Sequence, residues 1–270
     1  MLEVIDKGTP SRSHPVPLLF VHGAEHAAWC WDEHFLKFFA DRGYRAVAVS
    51  LRGHGASTTS TSPLLCSIAD YVDDVRTVVA TLPAAPVLIG HSMGGFVVQK
   101  YLEDHPLTPA AVLIASAPPK GAATAAMRTL KAVLRQTIRH PWRTIKAAHN
   151  GRSLPGFSER DRVRLMFFCE HTPESLIDRY AARLQKEPIG KAALDMMILD
   201  QPNPDRIRTP TLVLGAQLDN SVTVEETDLT ASTYGAIPEV FRNMGHDMMI
   251  EPGWADVAKR IDTWLCTQDL

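Results

Sequence analysis

The sequence is notable first for what it has little of. It has no marked charge imbalance: 28 Lys and Arg stand against 30 Asp and Glu, for a formal net charge of −2. It has no long Lys/Arg cluster either, so the electrostatic footprint of a nucleic-acid-binding or anionic-membrane-binding protein is missing. Cysteine is sparse. Cys30, Cys66, Cys169 and Cys266 lie far apart with no CxxC pair, which argues against a zinc site or a disulfide framework and for buried reduced thiols. No apolar run approaches the roughly 20 residues that a membrane-spanning helix needs. Met1 to Pro10 carries Glu3 and Asp6 and lacks an apolar signal-peptide core, so a cytoplasmic location is expected.

What is present is an ordinary globular composition, 45% hydrophobic and 21% charged over 270 residues. It is enough for one large core. Short apolar runs alternate with amphipathic stretches, the pattern of βα units around a mainly parallel sheet. Val16–Val21, Tyr44–Leu51, Pro86–Gly90, Ala110–Ala115, Thr211–Gly215 and Glu239–Asn243 read as strands. Trp29–Arg42, Gly94–His105, Val224–Tyr234 and Trp254–Leu265 read as helices. Ile68, Val72, Val75, Val79 and Leu82 form another helical apolar stripe, ended by Pro83. From Ala117 to Asp205 the alternation gives way to Arg-, Lys-, Met- and Pro-rich short helices. The expected organisation is therefore a core of residues 1–116 and 206–270 with a helical cap inserted at 117–205.

One motif carries chemistry. Gly90-His91-Ser92-Met93-Gly94 fits the G-x-S-x-G nucleophile elbow, between the apolar Leu88-Ile89 and Phe96-Val97-Val98. A serine hydroxyl is a weak nucleophile at neutral pH and needs a base and oxyanion donors. The bare pattern also occurs in Gly-rich turns with a capping serine; the strand before and the helix after single this one out. The backbone N–H of Met93 is one expected oxyanion donor, helped by the helix N-terminus. That of Ala24, in the His22-Gly23-Ala24 loop after an early strand, is the other.

Eleven histidines make a His by itself uninformative. His246 stands out because Met244-Gly245-His246 follows the last strand, in the order nucleophile, acid, base. Asp219, after the strand Thr211–Gly215, is the expected acid that orients it. Asp247 is the alternative, disfavoured because adjacent loop residues rarely point the same way. The His22 side chain reads as structural, His91 as a support for the elbow, and His14, His105, His140, His149 and His171 as exposed.

Taken together, Val21-His22-Gly23, Leu51-Arg52-Gly53-His54-Gly55, Gly90-His91-Ser92-Met93-Gly94-Gly95, the Leu214–Asp219 turn and Gly245-His246 resemble the α/β-hydrolase family over essentially the full chain. The resemblance implies an eight-stranded, mostly parallel sheet flanked by helices, with a helical cap after the sixth strand. His22-Gly23-Ala24 and Ala28-Trp29-Cys30-Trp31 resemble bacterial esterases and the plant methylesterase and hydroxynitrile lyase group. The lyases have Thr at the place of Gly23 and Lys at that of Asp247, which argues against cyanohydrin chemistry. Ser92 argues against the Asp-nucleophile epoxide hydrolases and haloalkane dehalogenases. Asp247, where meta-fission-product hydrolases carry Trp, argues against carbon–carbon cleavage. Ser50 stands where many relatives have Asp, and the sequence supplies no functional reason.

The expected reaction is a two-step acyl transfer without metal or cofactor: a serine hydrolase acting on a small apolar carboxylic ester through an acyl-enzyme on Ser92. A thioesterase or lactone-acting hydrolase shares the same triad, and a non-catalytic ligand-binding member of the fold is the further alternative. The only expected partner is a small-molecule ester, with no nucleic acid and no membrane. Met127, Phe168, Met197 and Met248 are the candidate pocket residues; they compete with the plainer role of packing cap against core.

Overall fold

The computed structural model describes residues 1–120, 159–187 and 190–270. Among the described residues seven strands form one sheet: β1 (Val4–Lys7), β2 (Leu18–Val21), β3 (Ala46–Val49), β4 (Val87–His91), β5 (Ala111–Ile114), β6 (Thr211–Ala216) and β7 (Pro238–Phe241). Their spatial order is β1-β3-β2-β4-β5-β6-β7. β1 runs antiparallel to β3 and every other pairing is parallel. Alternation along the strands feeds two apolar layers. Leu18 and Phe20 face Trp31, Phe35 and Phe39, whereas Leu19 and Val21 face Val72, Val75 and Phe96. Burial on both faces is why the inner strands β2, β3 and β5 are continuously apolar, whereas the edge strands β1 and β7 are partly exposed and carry charged residues.

The sheet corrects the expected strand count, seven instead of eight. Only Val4–Lys7 precedes β2 in the sheet. The stretch between them holds Pro10, Pro15 and Pro17, which lack the N–H groups a ladder needs. Residue 117, where the insertion was expected to begin, thus follows the fifth strand of the sheet, β5. The predicted Trp29–Arg42 helix is two short ones, Trp29–Asp32 and Phe35–Ala40. The break falls at His34, which leaves helical space (φ −143°, ψ −52°) and stacks on Trp254 at 4.4 Å. Helix Ile68–Val79 begins with a Ser67/Asp70 capping box. Among the described residues no helix is long and apolar enough to cross a membrane.

Strand order reverses between β2 and β4, since β3 lies on the far side of β2. Such a switch point opens a crevice at the carboxyl ends of the strands. The loops after β2 and β4, carrying Ala24 and Ser92, emerge on either side of it.

Candidate active site

Ser92 sits between β4 and helix Met93–Leu102 with φ 52° and ψ −118°. A non-glycine residue held at positive φ is strained and needs surrounding structure to impose it. Here the β5 side imposes it: Ser92 N–H donates to the Ile114 carbonyl (3.1 Å), and the Ser92 carbonyl accepts from Ala117 N–H (3.1 Å). The flanking glycines are dictated by space. A Cβ on Gly94 would strike the carbonyl oxygens of Val21 and His22, and one on Gly90 would come within 2.6 Å of the Gly94 carbonyl oxygen. Ser92 is half-buried, with Met93 buried beside it. Met93 opens a helix, where first-turn N–H groups have no intrahelical acceptor.

His246 and Asp219 meet. His246 Nδ1 donates to Asp219 Oδ2 at 2.7 Å, and both residues are buried. Burial alone would suppress the imidazolium, but the adjacent Asp219 carboxylate, by charge and hydrogen bond, and Asp247 outweigh it and raise the His246 pKa above its ordinary value. His91 Nε2 donates to the His246 carbonyl at 3.0 Å, tying the elbow to the histidine loop, and the two rings lie 4.6 Å apart. His91 is therefore a support, as its position beside Ser92 suggested. Burial, with His246 and His26 nearby, holds it neutral.

His22 is structural. Its Nδ1 donates to the Gly23 carbonyl (2.7 Å) and its Nε2 accepts from Leu51 N–H (3.0 Å). Burial depresses its pKa well below the ordinary value. Ser50 also acquires a role. Its buried hydroxyl accepts from Ala28 N–H (2.9 Å) and donates to Glu3 Oε2 (2.5 Å), so it pins the start of helix Trp29–Asp32. His14 and His105, expected to be exposed, are half-buried and stack on Tyr44 and Tyr101. His171 is exposed; His140 and His149 lie outside the described residues.

A cavity of about 140 Å³ has Ala24, Glu25, Met93, Glu187, Ala192 and Met196 among its walls. It thus brings the two expected oxyanion residues, Ala24 and Met93, to one space. Glu25 is neutralised by Arg162, which donates to both its oxygens (2.7 and 2.6 Å). Glu187 accepts from Glu25 N–H (2.9 Å) and lies 3.5 Å from His54 Nε2. A larger groove of about 440 Å³ runs between β7 and helix Trp254–Thr267, lined by residues such as Glu239, Phe241 and Arg260, and shares no wall with this cavity.

The expected pocket residues fare differently. Phe168 and Met248 are packed in the hydrophobic core and do not line the cavity. Met197 is partly buried, while its neighbour Met196 forms the wall. Met127 lies outside the described residues. One buried residue at the site had no distinguishing signal in the sequence. His26, four residues past His22, pairs with Asp247 at 3.0 Å.

Comparison with known proteins agrees with the architecture. A bifunctional esterase/perhydrolase of Acinetobacter calcoaceticus is 37% identical over 121 residues, 44% of this chain and 42% of that protein. The matched stretch thus spans less than half of that relative. Pheophorbidase of Raphanus sativus is 24% identical over 209 residues, 76% of this chain and 77% of its own. The structure of an esterase from Thermogutta terrifontis superposes with a TM-score of 0.74 at 23% identity, covering 100% of this chain and 94% of that one. At that identity the likeness speaks for the fold. The model of the alpha/beta hydrolase family matches residues 18–260, a span that takes in the elbow, the acid turn and the histidine loop, and the chain belongs to that family.

Proposed function

We propose that the protein is a serine hydrolase that cleaves a small, neutral, apolar carboxylic ester through an acyl-enzyme. The observation that carries the reading is the buried 2.7 Å Asp219–His246 hydrogen bond, joined to the strained elbow serine through its neighbour His91, which donates to the His246 carbonyl at 3.0 Å. Ser92 attacks the ester carbonyl while His246 Nε2 accepts its proton and Asp219 stabilises the resulting imidazolium. The N–H groups of Ala24 and Met93 receive the oxyanion. His246 then protonates the leaving alcohol. In the second half-reaction it deprotonates water, which attacks the acyl-enzyme; the Ser92 Oγ–acyl bond breaks, the acid leaves, and His246 returns the proton to Ser92 Oγ.

The cavity supports the substrate class. About 140 Å³ is well below the roughly 300–1,000 Å³ of pockets that take drug-sized ligands, and its Ala and Met walls suit a short aliphatic acyl chain. The carboxylate of Glu187 in its wall disfavours an anionic one. Residues 117–205 are read as the cap over this crevice. In support, Phe167 lies edge-on to the His26 ring (5.2 Å) and 6.2 Å from that of His246.

The test is Ser92→Ala. Hydrolysis of a short nitrophenyl ester and labelling by a fluorophosphonate probe should both be lost, with the circular dichroism spectrum unchanged. Turnover retained by a folded Ser92→Ala protein would overturn the assignment, and an unlabelled wild-type protein would favour a binding role. A panel of esters, thioesters and lactones of graded acyl length then fixes the leaving group.

A further inference from the structure

The residues next to the proposed catalytic groups form a cluster of their own. His26 lies two residues past Ala24, His91 precedes Ser92, and Asp247 follows His246. All three side chains are buried, and the two imidazoles converge on the Asp247 carboxylate. His26 Nε2 is 3.0 Å from Oδ2, and His91 Nε2 is 3.9 Å from Oδ1. Among the described residues Oδ1 has no hydrogen-bond partner. His26 Nδ1 points to the Ala24 carbonyl at 2.8 Å.

We infer that His26 and Asp247 are a buried imidazolium–carboxylate pair that acts as a positioning unit, fastening the Ala24 loop to the His246 loop and holding a fixed negative charge beside the base. The inference rests on the serine-hydrolase reading above. Both ring nitrogens of His26 face oxygen acceptors, a backbone carbonyl and a carboxylate. A neutral imidazole has one N–H and would turn a lone pair toward one of them; the imidazolium satisfies both. The His26 ring also stacks on the Trp29 indole, 5.6 Å between centroids at 24°, a setting that favours a cation. Burial opposes the charge, yet the Asp247 carboxylate, by charge and hydrogen bond, outweighs it and raises the His26 pKa.

His91 cannot share this duty. Its Nε2 proton is committed to the His246 carbonyl, so it meets Asp247 as a neutral ring. The charged groups facing His26 are thus Asp247 and Glu25, and those facing His246 are Asp219, Asp247 and His26. Asp247 N–H donates to the Phe167 carbonyl (2.9 Å), so the same residue also fixes the helix Glu159–Phe167 over the site. A carboxylate held in this way has two effects. It keeps the Ala24 amide in register with the elbow, which matters because displacement of a reacting group by 1 Å can cost about 100-fold in rate. It also makes His246 a stronger base.

The test uses full-length Asp247→Asn, His26→Asn and the double variant. Each single variant should lose about 10- to 100-fold in kcat with KM within about threefold. The double should lose no more than the worse single, because the two groups act as one unit. Asp247→Asn should also move the acid limb of kcat/KM to lower pH, since removing the anion weakens the base; a packing role alone would not move it. Additive losses, or an unmoved acid limb, would overturn the inference. A second measurement needs no variant. In nitrogen-15 spectra of histidine-labelled native protein, one imidazolium that does not titrate with activity should persist above the ordinary histidine value of 6.5. If every ring is neutral there, the ion pair does not exist. Failure of the underlying reading looks different: the native protein would neither hydrolyse esters nor take the phosphonate, whatever the charge of His26.

Discussion

Asp219 divides its carboxylate between its own loop and His246. Oδ1 accepts from the N–H groups of Ser221 (2.7 Å) and Val222 (2.9 Å), leaving Oδ2 for His246 Nδ1 (2.7 Å). The turn thus locks the carboxylate, the carboxylate selects the tautomer with its proton on Nδ1, and Nε2 is left with a lone pair. Asp219→Asn would keep the Oδ1 contacts but present an amide N–H₂ to Nδ1, driving the proton to the wrong nitrogen. The expected loss is on the order of 10⁴-fold in kcat with the fold retained. Steady-state ester hydrolysis with a thermal melt checks it; a loss under tenfold would mean that Asp219 does not orient the base.

The pH dependence follows from the same contact. The reactive form has neutral His246, so kcat/KM rises as pH rises through the His246 pKa. That pKa lies above the ordinary value of 6.5, because Asp219 and Asp247 together outweigh burial. The acid limb for a neutral ester should therefore have its midpoint above 6.5. His22 and His91, both held well below that value by burial, add no further limb there. A profile over pH 5–9 decides; a midpoint below 6.5 would contradict the ion-paired base.

The strand–helix turn at Ser92 and the meeting of Asp219 with His246 were legible in the sequence because each depends on local order: a glycine-flanked turn, a strand end, and the succession of acid before base. The sheet was legible for the same reason, since Leu18–Val21 and Val87–His91 are apolar throughout. What was not legible depends on partners distant in sequence. Nothing near His34 says that it stacks on Trp254, so the helix break there was invisible. Nothing near His26 says that it meets a carboxylate 221 positions away. Phe168 and Met248 have pocket-like chemistry, but packing against the sheet, not residue type, sends them into the core. Adjacent loop residues diverge, and the structure has Asp219 on His246 and Asp247 on His26; that second destination was beyond reach of the sequence.

Gly23 offers a separation of fold from chemistry. A Cβ there would lie 2.8 Å from His91 Nδ1 and 2.9 Å from Ser92 Cβ. Both are side-chain atoms at the site, so Gly23→Ala should fold, with a loss of about 1–3 kcal/mol from overpacking, while pushing the nucleophile off its position. On the order of 100-fold should be lost from kcat/KM. Gly94→Ala meets the backbone carbonyls of Val21 and His22 instead, which cannot step aside, and should fail to accumulate as soluble protein. Equal behaviour of the two variants in expression and melting would refute the distinction.

Glu251 supplies the last test, one of stability. Its buried Oε1 accepts from the N–H groups of Cys169 (2.8 Å) and Gly245 (3.2 Å), and its Oε2 from the Thr172 hydroxyl (2.7 Å). It thereby ties the segment after helix Glu159–Phe167 to the residue before His246. Glu251→Ala leaves two buried N–H groups unpaired and should cost about 2–4 kcal/mol. Glu251→Gln keeps an acceptor for both. Burial lifts the Glu251 pKa above the usual carboxylate value in spite of these donors. The folded state therefore holds this proton more tightly than the unfolded chain. Its contribution is most favourable below the unfolded pKa and declines as pH rises through the folded one. Glutamine has no proton to lose, so the stability of Glu251→Gln relative to wild type should improve with rising pH and then level off. Urea unfolding of the three proteins at pH 4.5, 6 and 8 measures this; a relative stability of the Gln variant that falls with pH would show that the carboxylate is stabilised, not strained, in its buried site.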